Sequence, residues 1–401
     1  MKICLVRCPA PFLIDDRMFP PLGLMAVGTG LRQAGHDVMI HDGPLQALPL
    51  DQDAYGFGPT APEYPLAIET LNRIKRTNRN ARVVLGGPHA TLNWSTCLKE
   101  GWDCVVVGDG EIVSDRAFIG KLTLLMAEER PLDEYPIIDR SLVDLRTYHY
   151  KSNGVPGTTL VTARGCPHQC DFCCKNHDRV RLMSASRAIA EIRYLAVDWG
   201  YKVLAFPEDI FILDRKRTET ICAALKDLGI EWRCLVRSDI VVRRGMDFLT
   251  MLKDAGCAAV GIGIESGSEQ ILQTIHKGET VATILQSVRM LQAAGIRTRG
   301  FFVVGLPGEN AQTLEETWEF LEEAQLDEID AKIFQPYPGS PIYEHRDRYD
   351  IKWNGTAMDK TFYKGKPGLY EGSISTAALT TEQIVEAWKA IETRFNPRVT
   401  Q

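Results

Sequence analysis

Four of the chain's eleven cysteines fall within nine positions of one stretch, VTARGCPHQCDFCCKN at 161–176. Cys166, Cys170 and Cys173 stand with three and then two residues between them, just after a β-like run. Thiolates at that spacing on one loop converge on a soft metal centre. A tetrahedral zinc site wants a fourth ligand, usually from a second C-x2-C pair. Cys174 is adjacent to Cys173, so its side chain is expected to point elsewhere. Three ligands suit a [4Fe–4S] cluster with one iron left open. The bland alternative, free thiols packed in a core, fits poorly with the polar residues His168, Gln169, Asp171, Lys175 and Asn176 interleaved among them.

The rest of the chain must hold that loop. At 401 residues it is longer than one ordinary core, and two domains with a small third segment are expected. With 45% hydrophobic and 24% charged residues, the composition is that of a soluble globular protein. A net charge of −6 without runs of like charge implies no nucleic-acid partner. No apolar run approaches the roughly 18 residues of a membrane span. MKICLVRCPA reads as a first strand, since its apolar run is too short for a signal peptide. An odd cysteine count with no export signal argues for free thiols or metal ligands and a cytoplasmic location.

From 1 to about 115, short buried strands alternate with helical stretches: KICLVR, DVMIHD, YGFG, ARVVLGG and DCVVVGDGE are the strands. That alternation predicts a Rossmann-like, doubly wound, mostly parallel sheet, whose ligands sit outside the carboxyl ends of the strands. The loops there are 58–65, 86–90 (Gly86, Gly87, Pro88, His89 among them) and 108–111 (Gly108, Gly110, Glu111). Their glycines either admit a bulky ligand close to the backbone or make ordinary tight turns. Residues 116–155, poorly periodic, read as a connector. From 156 to 345 six β–α units follow, too few for a full eight-fold barrel but suited to a partial one, a (β/α)6 TIM barrel. The segment 346–401 ends in a helix and is expected to cover the barrel mouth, with Trp353, Tyr363 or Tyr370 as wall residues.

CPHQCDFC, following a strand and opening six β–α units, resembles the cluster loop of the radical S-adenosylmethionine (SAM) enzymes, and the resemblance runs through 156–345. It implies that Cys166, Cys170 and Cys173 hold the [4Fe–4S] cluster, whose open iron chelates the amino and carboxylate groups of SAM. It places Phe172 near the adenine, and Glu208 and Asp209 of FPEDIF near the SAM amino group. In CLVRSD, Arg237 is expected to pair with the methionine carboxylate, and Ser238 or Asp239 with ribose. In GIGIESGSEQ, Glu265 and Ser266 lie at another strand end, with Glu265 toward the ribose hydroxyls. Each residue alone is more often a helix cap or a surface pair; their order and spacing together carry the assignment.

The N-terminal part is similar to the cobalamin-binding domain that precedes the barrel in one radical SAM subgroup, through PPLGLMAVGTGLRQAGHDV, ARVVLGGPHAT and CVVVGDGE. Cobalamin proteins that bind cobalt through histidine carry D-x-H-x-x-G after the first strand; here PAPFLIDDRMFPPLG has no histidine. The resemblance therefore implies base-off cobalamin, its lower face met by Thr60, Pro62, Glu63 or Tyr64, with His41 and His89 as ordinary loop histidines. GPLQALPLDQDA is compressed relative to that subgroup.

The leading reading is a cobalamin-dependent radical SAM methyltransferase, passing a methyl group from SAM through methylcobalamin to an unactivated carbon or phosphorus of a small-molecule or peptide substrate. Its site is expected between the two domains, with a flavodoxin or ferredoxin as reductant. The alternative is a cyclase or rearrangement enzyme with the same cofactors and no net methyl transfer. Methylthiolation would need a second cluster from Cys4, Cys8, Cys97 and Cys104, whose spacing does not match. A non-enzymatic iron–sulfur or zinc module is the remaining class.

Overall fold

The computed structural model describes residues 1–401 except 11, 12, 14, 178, 355–371 and 396–401, so Tyr363 and Tyr370 lie outside the described residues. The chain forms two compact units, Met1–His149 and Tyr150–Gln401.

The first unit is built on six parallel strands: β1 (Lys2–Val6), β2 (Asp37–His41), β3 (Ala54–Phe57), β4 (Arg82–Leu85), β5 (Cys104–Val107) and β6 (Leu124–Met126). Helices α1 (Leu22–Gln33), α2 (Tyr64–Thr77), α3 (Gly87–Cys97) and α4 (Ser114–Ile119) connect them. Strands such as AYGF and CVVV are apolar throughout because a parallel sheet is covered on both faces. Tyr55, Phe57, Tyr64, Leu71, Ile74 and Trp102 pack one core, with Cys4, Cys8 and Cys97 inside it. The order β2-β1-β3-β4-β5-β6 reverses direction between β1 and β3, and the ligand crevice of such sheets opens at that switch. Strand β6 falls in the stretch expected to be a connector; three residues are too few to show a period.

The second unit is a curled half-barrel. Its parallel strands follow in chain order: β8 (Val155–Thr159), β11 (Val203–Phe206), β12 (Glu231–Val236), β13 (Cys257–Glu265), β14 (Arg297–Val304) and β15 (Glu328–Ile333). A short antiparallel strand, β7 (Lys151–Ser152), flanks β8. The crossovers are α5 (Ala185–Arg193), α6 (Arg215–Asp227), α7 (Ser238–Arg244), α8 (Met246–Asp254), α9 (Glu269–Thr274), α10 (Val281–Ala293) and α11 (Ala311–Ala324). Several start on side chains that accept an orphan N–H: Ser184, Asp214, Thr280 and Asn310 cap α5, α6, α10 and α11. Alternation along the strands sends Trp232, Cys234 and Val236 to a buried face, as with Thr298, Gly300, Phe302 and Val304. Two ribbons complete the unit, β9 (Ala163–Arg164) with β10 (Arg181–Leu182) and β16 (Lys352–Trp353) with β17 (Ile374–Ser375), together with α12 (Pro341–Glu344) and α13 (Thr381–Phe395).

Candidate active site

The cysteine loop is the tip of the β9–β10 ribbon, in which Ala163 pairs with Leu182 and Arg164 with Arg181. Its base is clamped from below. Thr162 donates its hydroxyl to Glu208 Oε1 at 2.6 Å, and Arg217 donates to the Thr162 hydroxyl at 2.6 Å and carbonyl at 2.9 Å. Arg217 also reaches the Met183 carbonyl across the stem at 2.6 Å. Glu208 is thus engaged in holding the loop; burial pushes its carboxyl up to about 7 against the Thr162 and Arg217 contacts.

Farther along, Asp171 braces the loop on two sides. Its N–H donates to the Ile275 carbonyl at 3.0 Å and its carbonyl accepts from Ile342 at 3.1 Å. Its carboxylate takes the Tyr349 hydroxyl at 2.7 Å and a close contact from His276 Nδ1. Phe172 beside it is half-buried.

The thiols differ in surroundings. Cys170 is buried, its Sγ 3.9 Å from the Lys277 carbonyl and 4.0 Å from Arg237 Nη1. Burial raises that thiol, while the Lys277 and Arg237 cations work the other way. Burial first, and then the negative charge of Asp209 and of the Cys174, Cys170 and Cys166 sulfurs, raises the Cys173 thiol. Cys174 turns away, its Sγ 3.7 Å from the Tyr337 carbonyl, and burial pushes it up to about 11. Among the described residues no three His, Cys, Asp or Glu side chains converge on a single ion position. A cubane asks for something else, since each thiolate binds a separate iron. Three thiols on one braced loop, two cations beside the buried one and the fourth thiol averted make a donor set of that kind.

Below Cys170 lies a buried charge network. Arg237 donates to Asp239 Oδ1 at 3.0 Å and to the Lys277 carbonyl at 3.1 Å, and stands 3.6 Å from Glu279. Lys277 Nζ pairs with Glu265 Oε1 at 2.9 Å and lies 3.7 Å from Glu279. Burial alone would lower the Lys277 pKa; the Glu265 and Glu279 carboxylates reverse this and hold it above the ordinary value. Ser266 is taken up by Thr317 at 3.2 Å, whereas the buried Ser238 Oγ has no protein partner. Lys277, Glu279, Arg217 and Thr162 were not singled out in the sequence. Lys277 and Glu279 stand in HKGE directly after α9, where charged residues are ordinarily solvated, so the sequence carries no sign of their burial.

In the first unit, Arg7 at the end of β1 pairs with Asp42 after β2 at 3.0 Å, and Arg17 reaches the same carboxylate at 3.2 Å. Tyr148 also donates to Asp42. These contacts occupy the stretch that in histidine-ligating cobalamin proteins carries the ligand. Thr60 and Glu63 form a reciprocal cap, the Thr60 N–H donating to Glu63 Oε2 at 2.8 Å. Thr60 is exposed and Pro62 buried, while Tyr64 points into the core with its hydroxyl accepting from Trp102 at 3.1 Å. His89 stacks on Tyr64 at 3.8 Å; its Nδ1 is buried without a partner, and burial takes its pKa down to about 4. Pro88 is exposed and Gly86 half-buried. At Gly87 (φ +82°) a Cβ would lie 2.9 Å from Gly58, so the β3 and β4 loops meet backbone to backbone. The strand ends there present main chain with little side-chain bulk, beside one buried imidazole nitrogen without a partner. Gly108 N–H donates to Thr91 Oγ1 at 3.1 Å, and Gly110 and Glu111 form a half-buried turn beside it. His41 is tied to the Pro44 carbonyl at 3.1 Å. Cys4, Cys8, Cys97 and Cys104 are all buried, and burial pushes Cys4 and Cys8 up to about 12. They are core residues.

No helix of the described residues is long and apolar enough to cross a membrane. The radical SAM superfamily matches residues 160–321, and the B12 binding domain matches 17–117. The chain is 31% identical to an uncharacterized methyltransferase of Pyrococcus horikoshii, over 86% of this chain and 83% of that one. It is 26% identical to the anaerobic magnesium-protoporphyrin IX monomethyl ester cyclase of Cereibacter sphaeroides, over 83% of this chain and 61% of the cyclase. The fold is that of the radical SAM methyltransferase TsrM of Kitasatospora setae, solved with tryptophan and a SAM analogue bound. The TM-score is 0.67 at 16% identity, over 88% of this chain and 79% of TsrM. The chain belongs to the radical SAM superfamily, as a member that carries a B12-binding domain ahead of its radical SAM domain.

Proposed function

We propose that this chain is a cobalamin-dependent radical SAM methyltransferase that places the methyl group of SAM on an unactivated carbon, or phosphorus, of a small-molecule or peptide substrate. The observation that carries the reading is the braced loop with Cys166, Cys170 and Cys173 presented together and Cys174 averted. Similarity over most of the chain to a methyltransferase supports it. When bound, the cluster and SAM supply a 5′-deoxyadenosyl radical and cobalamin carries the methyl group.

In this reading the three cysteines hold the cluster. Arg237 takes the methionine carboxylate and Asp209, exposed beside Cys173, meets the amino group. Ser238, with its unpartnered hydroxyl, and Asp239 take ribose. Glu208, Glu265 and Ser266 act one step back, through Thr162, Lys277 and Thr317. Residues 1–115 bind cobalamin, 116–155 add β6 to that unit's sheet and connect it to the radical SAM domain at 156–345, and the described part of 346–401 closes that domain's mouth. Cobalamin is held base-off, because the loop after β1 has no imidazole and His89 is turned onto Tyr64. The protein works in the cytoplasm with a flavodoxin- or ferredoxin-type reductant.

Anaerobically prepared protein loaded with hydroxocobalamin should retain about one equivalent through gel filtration, with a base-off absorption spectrum. Loss of all cobalamin would overturn the reading, and a nitrogen-ligated spectrum would redirect it to His41 or His89. The similarity to the cyclase favours a second reading, rearrangement without methyl transfer. Methyl-deuterated SAM separates the two: label enters the product of a methyltransferase and stays out of a cyclase product.

A further inference from the structure

The Lys277–Glu265 pair is costly to build. Strand β13 shifts register against β14 between Gly263 and Glu265. Glu265 itself adopts left-handed backbone geometry, with φ +68°, which is strained for a residue carrying a side chain. Gly263 leaves the space the pair occupies: a Cβ there would lie 2.5 Å from Glu265 Oε1 and 3.0 Å from Lys277 Nζ. Both partners are buried, as is Glu279, whose side chain is fully enclosed. Buried ion pairs generally add little stability over apolar residues of the same volume. Stability alone therefore does not account for this arrangement.

Its location does. The Lys277 carbonyl is 3.9 Å from Cys170 Sγ and accepts from Arg237, whose other nitrogen is 4.0 Å from the same sulfur. Two cations and the carboxylates of Glu265 and Glu279 form one enclosed set beside a single cluster cysteine, with the half-buried Asp239 at its edge. In such an environment one unit of charge acts with little screening.

Resting on the assignment of Cys166, Cys170 and Cys173 as cluster ligands, we infer that Lys277 is a positioning residue that sets the charge around the cluster. Its ammonium, fixed between Glu265 and Glu279, offsets the negative charge at Cys170 and favours addition of the electron that initiates SAM cleavage. Glu279 opposes it, so the pair sets the reduction equilibrium between them.

The test is an EPR-monitored reductive titration of the anaerobically reconstituted full chain, comparing the parent with Lys277→Met, Lys277→Arg and Glu279→Gln. Lys277→Met should make reduction about tenfold less favourable, a shift of about −59 mV for one electron. Lys277→Arg should return toward the parent, and Glu279→Gln should move the equilibrium the opposite way. A merely structural clamp would not give shifts of opposite sign. Lys277→Met and Glu279→Gln moving together, or both staying within twofold of the parent with full cluster content, would overturn the inference. Where Lys277→Met loses the cluster, the sign of the Glu279→Gln shift decides. A parent that binds no cluster would refute the ligand assignment instead, which iron and sulfide analysis reads separately.

Discussion

Asp171 shows how one residue between two cluster cysteines governs the geometry of all of them. Its carboxylate bonds to Tyr349 and His276 tie the loop to segments more than a hundred positions away. Removing one partner of a partly buried, charged hydrogen bond costs about 1–3 kcal/mol. Asp171→Ala should therefore lose cluster iron to a chelator roughly ten times faster than the parent, with Asp171→Asn in between; equal rates would show that the loop needs no brace. The cysteines allow a sharper comparison. Cys166→Ala, Cys170→Ala and Cys173→Ala should abolish reductive SAM cleavage, while Cys174→Ala, whose thiol faces the Tyr337 carbonyl, should retain the cluster. Iron content and 5′-deoxyadenosine formation check both, and a cluster that survives Cys173→Ala but not Cys174→Ala would reverse the ligand assignment.

A half-barrel leaves an edge that a closed barrel does not have, and this chain covers it with side chains. On the last strand, β15, the Ala331 N–H donates to Glu392 of α13 at 3.2 Å, and Trp388 donates to the Ala331 carbonyl at 3.0 Å. Two side chains thus replace part of a neighbouring strand and protect the edge from pairing elsewhere. Glu392→Ala leaves a buried N–H unsatisfied and should destabilise the second unit by about 1–3 kcal/mol. Chemical denaturation measures the loss, and faster exchange of the Ala331 amide locates it; unchanged exchange there would contradict the role. The strands and helices were legible because each carries its own period over several residues. Strand β6 was not, with three residues and no pattern, and the first barrel strand, VPGTT, begins at Val155, one residue before the span expected for the barrel. The cysteine spacing was legible for the same local reason. Lys277 was not, because its burial depends on a register shift on β13 and a missing side chain at Gly263, neither of which leaves a periodic trace. The resemblance of FPEDIF implies Glu208 as a cofactor contact; its bond to Thr162 is set by the ribbon folding back over it and leaves no sign in the sequence.

Across the whole molecule, two enclosed carboxyls set a pH dependence that neither unit's surface would suggest. Burial pushes Glu208 up to about 7 and Glu309 up to about 8. Both values lie above those of the unfolded chain, so the folded state holds protons that the unfolded state has released. Their contribution is fully present below about pH 4.3 and is lost as pH rises through 7 to 8. The thermal midpoint should accordingly fall between pH 5.5 and 8.5, and less so in Glu208→Gln and Glu309→Gln; an equal fall in all three proteins would assign it to other groups. The central claim concerns both units working in one reaction. It is tested most directly by quantifying S-adenosylhomocysteine and 5′-deoxyadenosine from the same anaerobic turnover, with substrate and methyl-deuterated SAM. A methyltransferase of this kind spends one SAM as methyl donor and one as radical source, so the two products should form in equal amounts and the label should appear in the methylated product. Deoxyadenosine formed without matching S-adenosylhomocysteine, and a product free of deuterium, would contradict it.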